Sequence, residues 1–203
     1  GLGLMDASVA FHNLKPDMLV VVGDRFEMMS VTLAAAYMNV TIVHTMGGEV
    51  TGTIDESIRH AISKFSHIHF PANEDSRQRI IRMGEDPEFV HNVGCPRTDL
   101  VALELQNDSY KVLKDLFRIF GGVGKSFDLK EPYLLVSQHS VTTEFGDNRW
   151  QIEETLEALD KLSMPVIMLW PNADAGSDDI SKGIRVFREN KKPTWLHLFK
   201  NLP

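Results

Sequence analysis

Residues 18–22 read MLVVV, 23–40 GDRFEMMSVTLAAAYMNV, 41–46 TIVHTM, 47–66 GGEVTGTIDESIRHAISKFS and 67–70 HIHF. A short β-rich run, a stretch of helical length, a second run, a second helical stretch and a third run follow one another. That alternation is the mark of a parallel sheet wrapped by helices, because parallel neighbours need a crossover and a helix supplies it. Working outward, further strand-like runs fall at 89–93, 133–137, 165–170 and 194–199, and helices are predicted at about 28–39, 55–66, 74–84, 98–118, 148–162 and 178–190. The fold class is therefore α/β.

The rhythm breaks between Asn107 and Lys130, where a charged helix end runs into Gly121-Gly122-Val123-Gly124-Lys125 and Pro132 opens the next run. We place a domain junction there. The glycine cluster lacks the Ser/Thr and the full spacing of a phosphate loop, so it reads as a flexible connector.

Of the 203 residues 43% are hydrophobic and 24% charged, enough apolar material for a sizeable core. The formal net charge of -7 argues against nucleic acid or an anionic membrane surface as the main partner, since both require a positive field. No apolar stretch approaches the roughly 20 residues of a membrane helix. The single cysteine, Cys95, has no internal disulfide partner, and with no visible signal peptide the cytoplasm is the expected compartment. Cys95 itself reads as a small buried residue after a strand.

Ligands of open parallel sheets bind beyond the carboxyl ends of strands. Three such places carry chemistry. After 18–22 come Gly23, Asp24 and Arg25, where an acid beside an arginine fits either a strand-end salt bridge or a catalytic pair. After the second run come His44, the glycines 47, 48 and 52, Glu49, Asp55, Arg59 and His60. Thr53 and Glu56 have capping-box spacing, which predicts a helix start near 54. Its buried stripe is then Ile58, Ala61, Ile62 and Phe65, with Asp55 and Arg59 off the stripe as an i,i+4 pair facing the loop or solvent. The third place is Ser137 to Glu144, with His139, together with Trp170 to Ser177, with Asn172 and Asp174. His67 and His69 share one side of their strand, but no third ligand accompanies them, so a packed role is expected and no metal.

The motifs GDRFE (23–27), GGEVTGTIDESIRHA (47–61), GCPRTD (94–99), QHSVTTE (138–144) and WPNADAGS (170–177) resemble, in this order, those of the hydrolysing UDP-N-acetylglucosamine 2-epimerases. The resemblance spans nearly the whole chain. It implies two Rossmann-like domains of the glycosyltransferase-B type, with 1–105 similar to the second half of the amino-terminal domain, 106–130 a connector, and 131–203 the first part of the carboxyl-terminal domain. A chain incomplete at both ends and inactive by itself is the expectation, without the segments that hold uridine and diphosphate.

The resemblance further implies elimination of UDP followed by hydration, giving N-acetylmannosamine. Asp24, Glu49, Asp55 and His139 then stand as catalytic candidates, and Arg25, His44, Arg59, His60, Asn172 and Asp174 as substrate-binding ones. Asp24, Asp55 and His139 are expected to meet around one pocket. No cofactor is implied; the partner is a UDP-sugar, and a homo-oligomer is expected. Where the family usually carries a glutamate two residues after the histidine matched by His44, this chain has Met46. Two alternatives stay open beside the leading reading: the related reaction on a UDP-2,4-diacetamido sugar, and a non-catalytic nucleotide-binding or assembly module.

Overall fold

The computed structural model describes residues 1–106, 113, 115–141, 143–144 and 146–202. The chain divides into two compact units, Gly1–Gln106 and Asn107–Pro203.

In the first unit the elements run α1 (Leu2–Leu14), β1 (Met18–Val22), α2 (Phe26–Tyr37), β2 (Thr41–Thr45), α3 (Ile54–Phe65), β3 (Ile68–Phe70), α4 (Glu74–Arg82), a single 3₁₀ turn (Pro87–Phe89) and α5 (Pro96–Gln106). The three strands form a parallel sheet in the order β1-β2-β3, with Met18 opposite Thr41 and Val43 opposite Ile68. Val21, Ala35, Val40, Ile42 and Ile62 make the buried core, and Phe11 of α1 packs against it. Burying a side chain the size of Ile62 contributes about 1.5–3 kcal/mol.

Several expectations change here. Helix α1 is not predicted by periodicity; it packs along α2, with Gly3 facing Ser30, and ends at Lys15 in the left-handed region ahead of Pro16. The run at 89–93 is not a strand: only Val90 bridges to His69, after the turn that Pro87 opens with its fixed φ. Helix α3 starts where predicted, after Thr53, but the capping box does not form. Thr53 makes no side-chain cap, and the Glu56 carboxylate instead accepts from the backbone N–H groups of Thr51 (2.9 Å) and Gly52 (2.8 Å).

The buried face of α3 is also rotated relative to the predicted stripe. Arg59, Ile62, Ser63 and Ser66 are buried while Phe65 is exposed, because the polar members of that face find partners inside.

In the second unit the order is α6 (Leu116–Phe120), β4 (Val123–Gly124), β5 (Leu134–Ser137), α7 (Asn148–Leu162), β6 (Val166–Leu169), α8 (Ser177–Lys191) and β7 (Leu196–Phe199). The sheet order is β4-β7-β6-β5, with β5, β6 and β7 parallel and β4 antiparallel to β7. Val166 and Met168 face a core with Ile152, Leu156, Ile180 and Ile184, whereas Ile167 faces Leu116 and Phe199. Both faces of β6 are covered, which is why its sequence is a continuous apolar run and does not alternate.

The segment read as a connector contributes to this unit. Phe117, Phe120 and Phe127 cover the second face of the sheet, and Val123–Gly124 is an edge strand. The glycines there serve close approach: a Cβ on Gly122 would meet the His197 ring and the Leu198 carbonyl, and one on Gly124 the Leu196 carbonyl. The predicted helix at 98–118 is seen as Pro96–Gln106 and Leu116–Phe120; residues 107–112 and 114, which the helix and connector readings include, lie outside the described residues, as does Thr142 of the 138–144 motif. No helix among the described residues is long and apolar enough to cross a membrane.

Candidate functional site

At the carboxyl end of β1 the chain turns through Gly23 (φ 67°), and the residues after it meet the loop that follows β2. A cleft of about 390 Å³ lies here, lined by Val22, Gly23, Asp24, Arg25, Met28, Met46, Glu49, Arg59 and Arg97. Its position beyond strand ends is where an open parallel sheet offers a ligand site.

Arg59 organises this cleft. Only 4% exposed, it donates from Nη2 to Asp24 Oδ2 and from Nη1 to the backbone carbonyl of Glu49, 2.7 Å away. A predicted solvent-facing partner of Asp55 is thus a buried partner of Asp24. The correction has a physical reason: an arginine tolerates burial only when its charge is paired and its donors are used, and Asp24 with the Glu49 carbonyl meets both conditions. Asp24 therefore does not pair with its neighbour Arg25. That side chain binds Glu27 at 3.0 Å and lies 5.6 Å over the Phe26 ring, and the guanidinium holds the Glu27 carboxyl below its usual range.

His44 lies beneath the cleft and not in it. Fully buried, it places Nε2 2.8 Å from the Gly23 carbonyl, to which it donates, and Nδ1 3.1 Å from the Ser63 hydroxyl. Burial pushes its pKa down to about 4, with the Gly23 bond opposing that shift. Its expected substrate contact is replaced by a positioning role: a neutral imidazole pins the turn that carries Asp24.

The loop above is held equally firmly. Gly47 passes so close that a Cβ would come within 2.8 Å of His44 Nδ1, Arg79 donates to the Gly48 carbonyl, and the Met46 N–H donates to Phe70 O at 2.9 Å. Met46 has a left-handed backbone, φ 60°. Four separate anchors on residues 46–49 make this a preformed wall.

Asp55 and His60 stand elsewhere. Asp55 is exposed at the start of α3 and accepts from Thr53 Oγ1 at 3.4 Å; His60 Nε2 lies 3.8 Å from Glu56, one turn earlier. Neither lines the cleft. Sequence reasoning missed Val22, Met28 and Arg97 as lining residues. Arg97 was within reach of it, in a quoted motif at the end of a β-rich run.

Cys95 is half-buried, a correction to its expected burial. The N–H groups of Thr98 and Arg97, at the start of α5, lower its thiol pKa. His69 is buried, with Nε2 3.5 Å from Glu85 and its pKa lowered by burial, while His67 accepts from the Ile42 N–H at 3.1 Å. Among the described residues no group of three His, Cys, Asp or Glu side chains could hold a metal ion.

In the second unit, the polar groups after β5 and β6 meet each other. His139 Nδ1 accepts from the Asn172 N–H at 3.3 Å, which leaves Nε2 as the donor to Ser137 Oγ at 3.1 Å. Asn172 donates from Nδ2 to Asp174 and accepts from the Asp174 N–H at 3.3 Å. His139 is exposed, so its free face is open to a ligand. A larger hollow of about 660 Å³ lies in the same unit, near Trp170, Arg185, Arg188 and Lys200, and takes in none of His139, Asn172 and Asp174. The smaller cleft of the first unit is the candidate site, because it sets two carboxylates, Asp24 and Glu49, beside Arg25, Arg59 and Arg97 at the end of β1.

The chain is 36% identical over 188 residues to a Legionella pneumophila UDP-N,N'-diacetylbacillosamine 2-epimerase (hydrolyzing), covering 92% of this chain and 47% of that protein. To a Neisseria meningitidis UDP-N-acetylglucosamine 2-epimerase it is 32% identical over 178 residues, covering 88% and 45%. The chain thus spans about half the length of the curated relatives it matches.

A crystal structure of UDP-GlcNAc 2-epimerase from Neisseria meningitidis bound to UDP-GlcNAc superposes with a TM-score of 0.75 at 19% identity, covering 98% of this chain and 53% of that one. A Methanocaldococcus jannaschii UDP-GlcNAc 2-epimerase, in complex with UDP-GlcNAc and UDP, gives 0.72 at 16% identity, covering 97% and 53%. The fold is accordingly that of parallel-sheet Rossmann-like halves of the glycosyltransferase-B type. A family model described as UDP-N-acetylglucosamine 2-epimerase matches residues 1–203, and the chain belongs to that family.

Proposed function

We propose that the protein carrying this chain is a hydrolysing 2-epimerase that converts UDP-N-acetylglucosamine and water to N-acetylmannosamine and UDP. A carboxylate takes the C2 proton while the C1–O bond breaks and UDP departs, leaving a C1=C2 double bond. Water then gives its oxygen to C1 and a proton returns to C2 from the opposite face. Two carboxylates suit these two proton transfers if their surroundings set them apart.

The observation that carries the reading is the cleft in which Asp24, oriented by buried Arg59, lies with Glu49 across the end of β1. Asp24 and Glu49 are assigned the proton transfers. Arg25 is a contact for the phosphates, and His139, Asn172 and Asp174 are contacts for substrate supplied by the second unit. Asp55, exposed at the start of α3, keeps the catalytic candidacy that family resemblance gives it.

The test is UDP release and deuterium incorporation at C2 in D₂O, with the intact protein. Asp24→Asn is expected to lower turnover by about 100-fold or more, the range of a lost acid–base group. An unchanged rate would overturn the assignment. Met46→Glu sharpens it: a large gain in UDP release means that the methionine impairs proton transfer, and no gain means that Asp24 and Glu49 suffice.

A second reading, hydrolysis of a UDP-2,4-diacetamido sugar, is favoured by relatives named for that substrate at 36% and 37% identity. Comparing kcat/KM for the two nucleotides decides between them.

A further inference from the structure

Ser63 joins the parts of the first unit's cleft without lining it. Ser63 and His44 are both fully buried, and Ser63 Oγ lies 3.1 Å from His44 Nδ1 and 3.1 Å from the Arg59 carbonyl oxygen. Its one proton serves one acceptor at a time. Because His44 donates from Nε2 to the Gly23 carbonyl, the neutral ring presents Nδ1 as an acceptor. The Arg59 carbonyl lies inside α3, where the backbone N–H four residues on already reaches it, so the hydroxyl is free to serve His44.

Asp24 is thereby tied to α3 twice. Arg59 holds its carboxylate directly, and Ser63, one turn later, holds the turn before it through His44 and the Gly23 carbonyl. A single ion pair fixes a distance; the second tie fixes the direction in which the carboxylate points. The loop of residues 46–49 rests on the same bond. A Cβ on Gly47 would come within 2.8 Å of His44 Nδ1 and 2.9 Å of Ser63 Oγ, so the main chain beside Met46 lies directly against the pair. We propose that Ser63 is a positioning residue of this cleft, whose hydroxyl holds both the Asp24 turn and the 46–49 loop through His44. The inference rests on the assignment of proton transfer to Asp24 and Glu49 above, and extends it to a residue that touches no substrate.

The experiment compares Ser63→Ala and Ser63→Thr in the intact protein by steady-state UDP release and by amide hydrogen exchange. Ser63→Ala is expected to lower kcat by about 10-fold or more with KM within about twofold, because a misplaced group slows the chemical step without weakening uniform binding. The Gly23 and Met46 amides donate to the Thr45 and Phe70 carbonyls, 3.1 and 2.9 Å away. Their exchange should quicken by about 10-fold relative to the Ile42 and His67 amides, which are bonded at the other end of the same sheet. Ser63→Thr keeps the hydroxyl and should restore both readouts. Equal acceleration at all four amides would make Ser63 a residue of general stability and overturn the inference. A kcat within about twofold of the unaltered protein in Ser63→Ala would overturn it too, as would Ser63→Thr behaving like Ser63→Ala. If the unaltered protein releases no UDP, the nucleotide-sugar reading falls, and the exchange comparison still decides whether Ser63 holds the turn and the loop.

Discussion

The two units place polar residues at the same kind of location, the carboxyl ends of parallel strands, but secure them differently. In the first, Arg59, His44 and Ser63 are buried, and the Arg59–Asp24 contact joins residues far apart in sequence. In the second, exposed His139 is steadied by Ser137 and by a backbone N–H of Asn172. On the assignment proposed above, stability and ligand contact are merged in one set of side chains in the first unit and kept separate in the second. Substitutions should therefore move melting temperature and turnover together in the first and turnover alone in the second.

Arg59→Met puts the greatest strain on that contrast. Removing one partner of a buried ion pair costs about 3–5 kcal/mol. We expect a fall in chemical-denaturation stability of that order together with loss of UDP release; retention of stability would mean that the pair is incidental. Gly48→Ala comes next. Gly48 has φ 80°, and a Cβ there would collide with the Ser76 carbonyl and approach Ile80 to 2.9 Å. Left-handed strain plus overpacking predicts a loss of about 2–4 kcal/mol, read from the same denaturation curves.

The third prediction concerns pH. His44 titrates at about 4 when folded, below its ordinary 6.5, so the unfolded chain takes up a proton that the native one refuses. Its effect is nil above about pH 6.5 and grows as pH falls towards 4, reaching about 3 kcal/mol of lost stability at most. Buried His69, also shifted down, acts in the same sense. His44→Gln should flatten the stability profile between pH 6.5 and 4 relative to the unaltered protein; an equally steep profile would assign the acid sensitivity to other groups. The smallest stability effect belongs to His139→Ala, expected within about 0.5 kcal/mol because the side chain is exposed. Its effect on UDP release should still be about 10- to 100-fold, and a fall in both readouts would erase the difference between the units.

How far the sequence could reveal this follows from where each residue finds its partner. The strands at 41–45 and 166–169 were legible because burial on both faces writes itself into local hydrophobicity, and the one at 18–22 because all five of its residues are apolar, although Met18, Val20 and Val22 are exposed. The face of α3 was not: Arg59 and Ser63 look like solvent-side residues until Asp24 and His44, from other elements, are brought beneath them. Glu56 was given its usual cap partner by spacing, yet its hydrogen bonds go to Thr51 and Gly52. The glycines at 121–124 suggest flexibility to any local reading; for Gly122 and Gly124 the reason is the closeness of β7, a fact that only the assembled sheet contains.

Met46 lets one torsion angle govern what variation the cleft wall can accept. At φ 60° the main chain resists side chains that branch at Cβ, whereas straight ones fit with modest strain. Substitution at position 46 is therefore filtered by shape before chemistry: Met, Gln, Lys or Glu can trade places without remodelling the wall, and Val, Ile or Thr cannot. A lineage could in this way exchange a proton-transfer group for an inert one, or regain it, while the surrounding architecture stays as it was.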